Sequence, residues 1–242
     1  MWRRVWYWFC RRLTIFSFAI FFGIRSLWRE RVPESGGLLL VSNHQSYLDP
    51  PLAAVGLNRP VSFMARRSLF RNPLFRWLIR SLNALPISRE GLDTQAMREA
   101  VSRLKRGEAL LLFPEGTRTV DGSVGRLRGG FDLLARRAGV PVTPMAVDGA
   151  FNAMPRNGGG LRFVQLMAGY GRTITAEEVA RLSREALQER VRDEIVRVLR
   201  ELRRRGGAGP RARSRRLVAR EDPGTAGSRD EASATRRKKP RA

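Results

Sequence analysis

One histidine and one aspartate lie close together in the first quarter of the chain, and their chemistry suggests a catalytic pair. His44 is the single histidine among 242 residues, and Asp49 follows five positions later. An imidazole takes up and returns a proton near pH 7, and a carboxylate on its second nitrogen fixes the tautomer and stabilises the imidazolium. His44 is therefore a candidate general base with Asp49 as its partner. The alternative is a histidine that only hydrogen-bonds its neighbours beside a strand end.

The residues around this pair predict a strand-to-helix turn. Residues 36–42 form a short apolar run suited to a buried strand, and residues 49–55 begin with residues that start helices. Five helical steps rotate by about 500°, so the two side chains cannot stack on one face of a regular helix. We therefore expect His44 in the turn that enters a helix, and Asp49 within its first turns.

A second polar loop follows another apolar run. Residues 109–113 are apolar without polar alternation, which predicts a strand covered on both faces. Residues 114–119, Pro-Glu-Gly-Thr-Arg-Thr, then place a carboxylate, a guanidinium and two hydroxyls at the carboxyl end of that strand. Active-site loops of α/β folds gather at such ends. An ordinary charged surface turn, with Gly116 for backbone freedom, is the alternative.

Strands that alternate with helices predict an α/β fold, with a central, largely buried sheet flanked by helices. The further strand candidates are residues 60–65, 84–89, 140–147 and 161–167. Pro86 predicts that residues 84–89 lie at an edge of the sheet. The helix candidates are residues 73–80, 93–106, 127–138 and a long helix that runs from a capping box at Thr175 to about Arg205.

Residues 1–30 predict a helical segment at a membrane. Aromatic residues and arginines are mixed over residues 2–12, and residues 13–24 carry no charge. A helix of that uncharged length rises only about 18 Å, short of the roughly 30 Å hydrocarbon core. Because aromatic rings and guanidinium groups suit the headgroup level, we expect an interfacial or shallowly inserted helix. A single span and a signal peptide are the alternatives.

Composition narrows the function classes. The net charge of +24 predicts a polyanionic partner, either nucleic acid or an anionic lipid surface. One cysteine, Cys10, excludes an internal disulfide framework, and a single histidine leaves no plausible zinc cluster. Residues 206–242 hold few large apolar groups, which predicts a disordered basic tail. We expect the intervening residues 31–205 to form the catalytic domain. The single cysteine predicts that the chain lies on the reducing, cytoplasmic side.

The two polar motifs together resemble those of the glycerolipid acyltransferase family, which includes the bacterial 1-acylglycerol-3-phosphate acyltransferases. These motifs are Asn43-His44-Gln45-Ser46-Tyr47-Leu48-Asp49 and Phe113-Pro114-Glu115-Gly116-Thr117-Arg118-Thr119. Residues 83–89 resemble the family's second motif, with Asn83 where glycine is usual. Apart from glycine, Asn is the residue that best tolerates a left-handed conformation. Residues 140–144 resemble its proline-bearing fourth motif. The resemblance covers about residues 36–170.

The resemblance implies acyl transfer from a thioester of coenzyme A or acyl carrier protein to the free hydroxyl of a lysophospholipid. The expected acceptor is 1-acylglycerol-3-phosphate, which gives phosphatidic acid in phospholipid biosynthesis. His44 would remove the hydroxyl proton, oriented by Asp49. The residues implied to bind the acceptor are Arg89, Glu115, Gly116, Thr117 and Arg118, with the two arginines on its phosphate.

The resemblance also implies the partners. They are the lysolipid, the acyl thioester (with acyl carrier protein as one carrier) and an anionic membrane surface, and the expected location is the cytoplasmic face of the cell membrane, as a peripheral or monotopic protein. No cofactor or metal is implied beyond the thioester. No covalent acyl-enzyme is expected, because the sequence has no Gly-x-Ser-x-Gly elbow and Cys10 is expected far from the motifs.

Three alternatives remain, apart from a catalytically inactive membrane adaptor, against which the intact His44, Asp49, Glu115 and Arg118 argue. One is a member of the same family that acts on another lysolipid. Another is a Ser-His-Asp hydrolase that uses Ser42 or Ser46. The third, from a different class, is a basic nucleic-acid-binding protein, although the sequence has no helix-turn-helix, zinc or aromatic-basic RNA signature and no specific nucleic acid is expected.

Overall fold

A computed structural model describes residues 2–87, 94–155, 158 and 160–206, with side chains from residue 5 onward within those ranges. Within this part of the chain, seven strands form one sheet in the order β1-β7-β6-β2-β5-β3-β4. In chain order they are β1 (Ile24–Leu27), β2 (Leu38–Ser42), β3 (Val61–Arg66), β4 (Ala84–Ile87), β5 (Ala109–Leu112), β6 (Val142–Asp148) and β7 (Leu166–Tyr170).

Helices lie on both faces of this sheet. The described α-helices are α1 (Trp2–Phe21), α2 (Asp49–Val55), α3 (Pro73–Ser81), α4 (Thr94–Lys105), α5 (Phe131–Ala138), α6 (Ala150–Ala153), α7 (Ala176–Arg181) and α8 (Arg184–Gly206). The α/β architecture that the alternating pattern predicted is therefore confirmed.

The central strand β2 supplies both halves of the core. Leu39 and Val41 pack in the cluster that α4, α5 and α8 cover, whereas Leu38 and Leu40 pack in the opposite cluster with α1 and α2. All four are fully buried. This alternation follows from the period of two along a strand, and burial on both faces explains why the run carries no polar residue.

The sheet brings the two polar loops side by side. Strand β2 pairs in parallel with β5 on one side and with β6 on the other. Val41 lies opposite Leu112 in the register with β5. Because parallel strands end at the same edge of the sheet, the loops that follow β2 and β5 begin next to each other.

Three predicted elements have different bounds in the structure. Helix α5 begins at Phe131, not at residue 127, because Gly130 before it has φ 114°, a backbone conformation that only glycine adopts readily. Strand β7 begins at Leu166, so residues 161–165 lie outside it. The capping box at Thr175 is confirmed, but it opens the short helix α7, and extended backbone at Leu182 separates α7 from α8.

The N-terminal helix is shorter than the predicted segment. Helix α1 ends at Phe21, and Gly23 at φ 61° turns the chain into β1, which pairs in parallel with β7. Residues 24–27 therefore belong to the sheet and not to a helical segment that extends to residue 30. None of the described helices combines the length and the apolar character needed to cross a bilayer.

Two further predictions concern the ends of elements. Strand β4 lies at the edge of the described sheet, as its proline predicted, and Asn83 before it has φ 65°, the left-handed conformation expected of the residue in the glycine position. Arg89 and the segment after Gly206 lie outside the described residues.

Candidate active site

The turn after β2 is anchored by side-chain amides to strand β6 and to helix α6, which follows it. Asn43 accepts a hydrogen bond from the Val147 N–H (2.8 Å) and donates one to the Val147 carbonyl (3.0 Å). Gln45 accepts one from the Phe151 N–H (3.1 Å). Both amides are about 1% exposed. Because buried polar groups cost little only when they are bonded, these contacts fix the turn that carries His44.

His44 and Asp49 form the pair that their spacing predicted. Nδ1 of His44 lies 2.7 Å from Oδ2 of Asp49. Asp49 is the first residue of α2 and is fully buried, while the His44 side chain is 19% exposed. The imidazole also stacks on Phe113, with ring centroids 4.2 Å apart. With Nδ1 bonded to the carboxylate, Nε2 is the nitrogen available for proton transfer.

The Asp49 carboxylate is held by backbone as well as by the imidazole. Its Oδ2 also accepts the N–H groups of Gln45 and Ser46, the latter at 2.8 Å. Burial raises the pKa of Asp49, and the hydrogen bonds from His44 and the two N–H groups oppose this rise. An imidazolium formed at His44 would lie beside this carboxylate in a charge-assisted hydrogen bond.

The loop after β5 holds the backbone of His44. Oε1 of Glu115 accepts the His44 N–H (3.0 Å) and Oε2 accepts the Gly125 N–H (3.1 Å). The Thr119 N–H donates to the His44 carbonyl (2.8 Å). Burial raises the pKa of Glu115, opposed by the hydrogen bonds from His44 and Gly125. The sequence implied acceptor binding by Glu115, but its pattern carried no sign of these backbone contacts.

The rest of this loop reaches a cavity. Gly116 has φ 69°, and its carbonyl accepts a hydrogen bond from Arg66 (3.3 Å). Thr117 and Arg118 are half-buried, and the Arg118 guanidinium lies 4.1 Å from the ring centroid of Tyr47. Arg66 follows the predicted strand 60–65, and its position at a strand's carboxyl end was the signal that could have identified it.

The cavity has a volume of about 760 Å³, and His44 lies in its wall. This volume falls within the roughly 300–1,000 Å³ of small-molecule sites. Gly116, Thr117 and Arg118 line it together with His44, and most other wall residues are apolar. The structure thus brings together all the predicted site residues that it describes: His44, Gly116, Thr117 and Arg118 line the cavity, and Asp49 and Glu115 hydrogen-bond His44 from outside the cavity wall.

Two helices that the sequence did not connect with the site form much of the remaining wall. Helix α1 contributes Tyr7, Cys10 and Thr14, and α3 contributes Phe75 and Ile79. The prediction that Cys10 lies far from the motifs is wrong, because Cys10 and His44 line the same cavity. The helical pattern of α1 indicated a membrane surface, and no local signal showed that its other side faces the catalytic pair.

Comparison with known proteins assigns this arrangement to a family. A sequence model of the acyltransferase family matches residues 24–148. The chain belongs to the acyltransferase family. The matched range contains the His44–Asp49 pair and the loop after β5, so this acyltransferase fold carries both motifs on which the resemblance depended.

Two curated relatives and one solved structure illustrate how far the similarity extends. The chain is 30% identical over 135 residues to the chloroplastic 1-acyl-sn-glycerol-3-phosphate acyltransferase BAT2 of Brassica napus. These residues make up 54% of this chain and 39% of that relative. The chain is 34% identical over 119 residues to the lyso-ornithine lipid O-acyltransferase of Pseudomonas aeruginosa, which is 49% of this chain and 45% of that relative. The chain thus spans less than half the length of these relatives.

The fold is similar to a crystal structure over most of both chains. The crystal structure of the 1-acyl-sn-glycerophosphate (LPA) acyltransferase PlsC from Thermotoga maritima matches with a TM-score of 0.73 and 27% sequence identity. The match covers 83% of this chain and 81% of that one.

Proposed function

We propose that this protein transfers a fatty acyl group from an acyl thioester to the free hydroxyl of a lysophospholipid. The acceptor is 1-acylglycerol-3-phosphate and the product is phosphatidic acid, which places the enzyme in phospholipid biosynthesis. The observation that carries the proposal is the His44–Asp49 pair in the wall of a mainly apolar cavity. BAT2 and PlsC, which are named for acyl transfer to this acceptor, support the choice of acceptor.

In this reaction His44 is the general base. Nε2 removes the proton of the acceptor hydroxyl as the hydroxyl oxygen attacks the thioester carbonyl carbon. The tetrahedral intermediate then collapses, and its carbon–sulfur bond breaks. The imidazolium returns the proton to the leaving thiolate. Asp49 supports the charged imidazole through the 2.7 Å contact to Nδ1. No side chain is acylated, and no group beyond the thioester co-substrate is required.

The loop after β5 supplies the acceptor site in this proposal. Arg118 in the cavity wall binds the acceptor phosphate, because guanidinium groups match phosphate oxygens geometrically. Gly116 and Thr117 line the same cavity, and Glu115 contributes through the loop that it anchors. Arg89, which lies outside the described residues, is the second phosphate ligand by resemblance.

The apolar remainder of the cavity suits an acyl chain. Side chains from β3, α1 and α3 line it, and burying each methylene contributes about 0.8 kcal/mol. Coenzyme A and acyl carrier protein are both candidate carriers, because this apolar region would contact the acyl chain and not the carrier to which the chain is joined.

The same proposal includes attachment to a membrane through α1. Phe9, Leu13 and Phe16 on this helix are more than half exposed, and an interfacial helix with arginines would bury them among headgroups. The enzyme would then be a peripheral or monotopic protein on the cytoplasmic face of the cell membrane, where its anionic surface attracts a chain of net charge +24.

An acyl-transfer panel tests the proposal. Detergent-solubilised protein is incubated with several lysolipids and with both coenzyme A and carrier-protein donors, and products are identified by mass. We expect phosphatidic acid from 1-acylglycerol-3-phosphate in the wild type and almost none in His44→Ala. Release of free fatty acid without a lipid product would instead support the hydrolase alternative.

A second acceptor belongs in that panel because of one observation. The relative with 34% identity is named a lyso-ornithine lipid O-acyltransferase. Ornithine is an amino acid and, unlike the headgroup of lysophosphatidate, contains no phosphate. Faster acylation of lyso-ornithine lipid than of lysophosphatidate would replace the proposed acceptor and remove the phosphate role of Arg118.

For the nucleic-acid alternative, filter binding should detect only RNA complexes that dissociate at moderate salt.

A further inference from the structure

Helix α3 exposes an apolar face that the protein core does not cover. Leu74 is 75% exposed and Trp77 is 57% exposed, and Phe75 and Leu78 are also exposed. Within α3, Ile79 alone is buried. Soluble monomers seldom expose contiguous apolar patches of this kind without a partner for them.

This face continues onto α1. The rings of Trp6 and Trp77 lie 5.4 Å apart, and the Trp6 indole N–H donates to the Ser81 hydroxyl (2.8 Å). The ring of Phe9 lies 5.8 Å from Trp6. Leu13 follows one turn later on α1. We name these exposed apolar residues of the two helices the α1–α3 patch: Phe9, Leu13, Leu74, Phe75, Trp77 and Leu78.

The charge around the patch has one sign. Residues 1–29 and residues 50–89 contain no Asp or Glu. Arg71, Arg76 and Arg80 in and beside α3 are exposed. An apolar surface flanked by these arginines, on two helices whose own sequences contain no carboxylate, fits an anionic lipid headgroup layer, where aromatic rings and guanidinium groups concentrate.

A second copy of this chain fits the patch poorly. A symmetric contact would place the arginines of one α3 near those of the other, and residues 50–89 offer no carboxylate to pair with them. Lipid phosphates supply the missing negative charge, and lipid chains supply the apolar surface that Leu74 and Trp77 require.

Helix α3 also forms part of the cavity wall. Phe75 and Leu78 line the cavity that contains His44 and also remain partly exposed to solvent. Ile79 lines it from the buried side of the helix. One short helix therefore separates the catalytic cavity from the surface that fits lipid.

We propose that α3 inserts into the headgroup layer of an anionic bilayer beside α1, so that lysolipid enters the His44 cavity past α3 directly from the membrane. This inference rests on the proposed function for the identity of the lipid that enters. Insertion by α3 is a separate claim from attachment by α1, because it rests on the exposed Leu74 and Trp77 of α3 and on the contribution of Ile79 to the cavity wall.

Leu74→Asp tests insertion without disturbing the cavity. Leu74 does not line the cavity and is the most exposed large apolar residue described. Losing the burial of one leucine should weaken binding to vesicles of phosphatidylglycerol and phosphatidylcholine by about tenfold or more in a sedimentation assay. The matched control is Val120→Asp, because Val120 is 67% exposed but lies on neither helix, and its binding should equal that of the wild type.

Activity with two substrates tests the route of entry. With long-chain lysophosphatidate in those vesicles, Leu74→Asp should lose kcat/KM about as much as it loses binding. With a short-chain, monomeric lysophosphatidate in solution, its kcat/KM should equal that of the wild type. The charge pair Arg76→Glu and Arg200→Glu repeats the comparison, since Arg200 is exposed on α8, and only Arg76→Glu should weaken vesicle binding.

Several results would overturn the inference. Wild-type binding by Leu74→Asp, or failure of the wild type to bind anionic vesicles, would remove α3 from the membrane surface. Weakened binding with unchanged activity on vesicle substrate would remove the entry route. Failure of the proposed function is distinguishable, because a wild type that acylates neither substrate would still report insertion through the vesicle assay.

Discussion

The loops that follow β2 and β5 lie side by side but are built differently. In the first, Asn43, Gln45 and Ser46 are almost completely buried and hydrogen-bonded to neighbouring backbone. In the second, Glu115 is buried behind His44, while Thr117 and Arg118 are half-buried in the cavity wall. The first loop therefore holds His44 in a fixed geometry, whereas in the proposed reaction the outer half of the second loop contacts substrate. Substitutions in the two loops should consequently alter different kinetic constants.

The largest expected effect is that of His44→Ala in the first loop. A positioned general base typically contributes about 10²- to 10⁴-fold, so kcat should fall by about that factor. The backbone contacts of residue 44 are unchanged, so the variant should remain folded, but loss of the hydrogen bond to the buried Asp49 carboxylate should lower its urea midpoint. An unchanged rate in the purified variant would remove His44 from the mechanism.

Asp49→Asn should lower kcat less than His44→Ala, by about tenfold to a hundredfold. An amide oxygen can replace Oδ2 as acceptor, but hydrogen bonds to charged groups are stronger by about 1–2 kcal/mol. The amide nitrogen would occupy the place of Oδ1, which has no hydrogen-bond partner among the described residues, so some stability should also be lost.

The double variant shows whether Asp49 acts through the imidazole. Residues that work as one unit have non-additive effects, so Asp49→Asn should lower kcat no further when His44 is already Ala. A multiplicative decrease would mean that Asp49 has a separate role.

Arg118→Ala tests the second loop. Loss of a hydrogen bond to a charged group costs about 1.5–3 kcal/mol, so the KM for soluble lysophosphatidate should rise about tenfold or more. The KM for the acyl donor and kcat should change little. Arg118→Lys keeps the charge but lacks the planar guanidinium. Its KM for lysophosphatidate should lie between those of the wild type and Arg118→Ala. A rise confined to the KM for the donor would place Arg118 at the thioester instead.

Glu115→Gln should have the smallest effect on activity, although Glu115 belongs to the second loop. An amide has one acceptor oxygen, so either the His44 N–H or the Gly125 N–H is left unpaired, which costs about 1–3 kcal/mol of unfolding free energy. We expect a lower urea midpoint and a modest fall in kcat. Glu185→Gln, at an exposed position on α8, should change neither.

The KM of Glu115→Gln for the acceptor shows whether Glu115 acts through the backbone of His44 or by contact with the acceptor. If Glu115 contributes only by holding the backbone of His44, that KM should remain at the wild-type value. An increase comparable with that of Arg118→Ala would mean that the carboxylate contacts the acceptor directly, as the resemblance implied.

Much of the catalytic turn could be predicted because its signals are local. The apolar run before His44 and the prolines after Asp49 define a strand, a turn and a helix within about fifteen residues of chain. The left-handed conformation of Asn83 was expected from the resemblance, because Asn stands where the family usually has glycine and tolerates that conformation. The start of β7 was not predictable, because residues 161–165 are as apolar as many strands and only pairing with β1 and β6 selects the register.

The sequence by itself determined the α/β class, the histidine–carboxylate turn and the basic, aromatic character of α1, since each depends on residues close together in the chain. Only the tertiary structure decided that Glu115 holds the His44 backbone and that α1 and α3 enclose the cavity. Contacts such as Trp6 with Trp77 join residues about seventy positions apart. Which residues meet over that separation depends on how the helices pack on the sheet, and no local pattern records it.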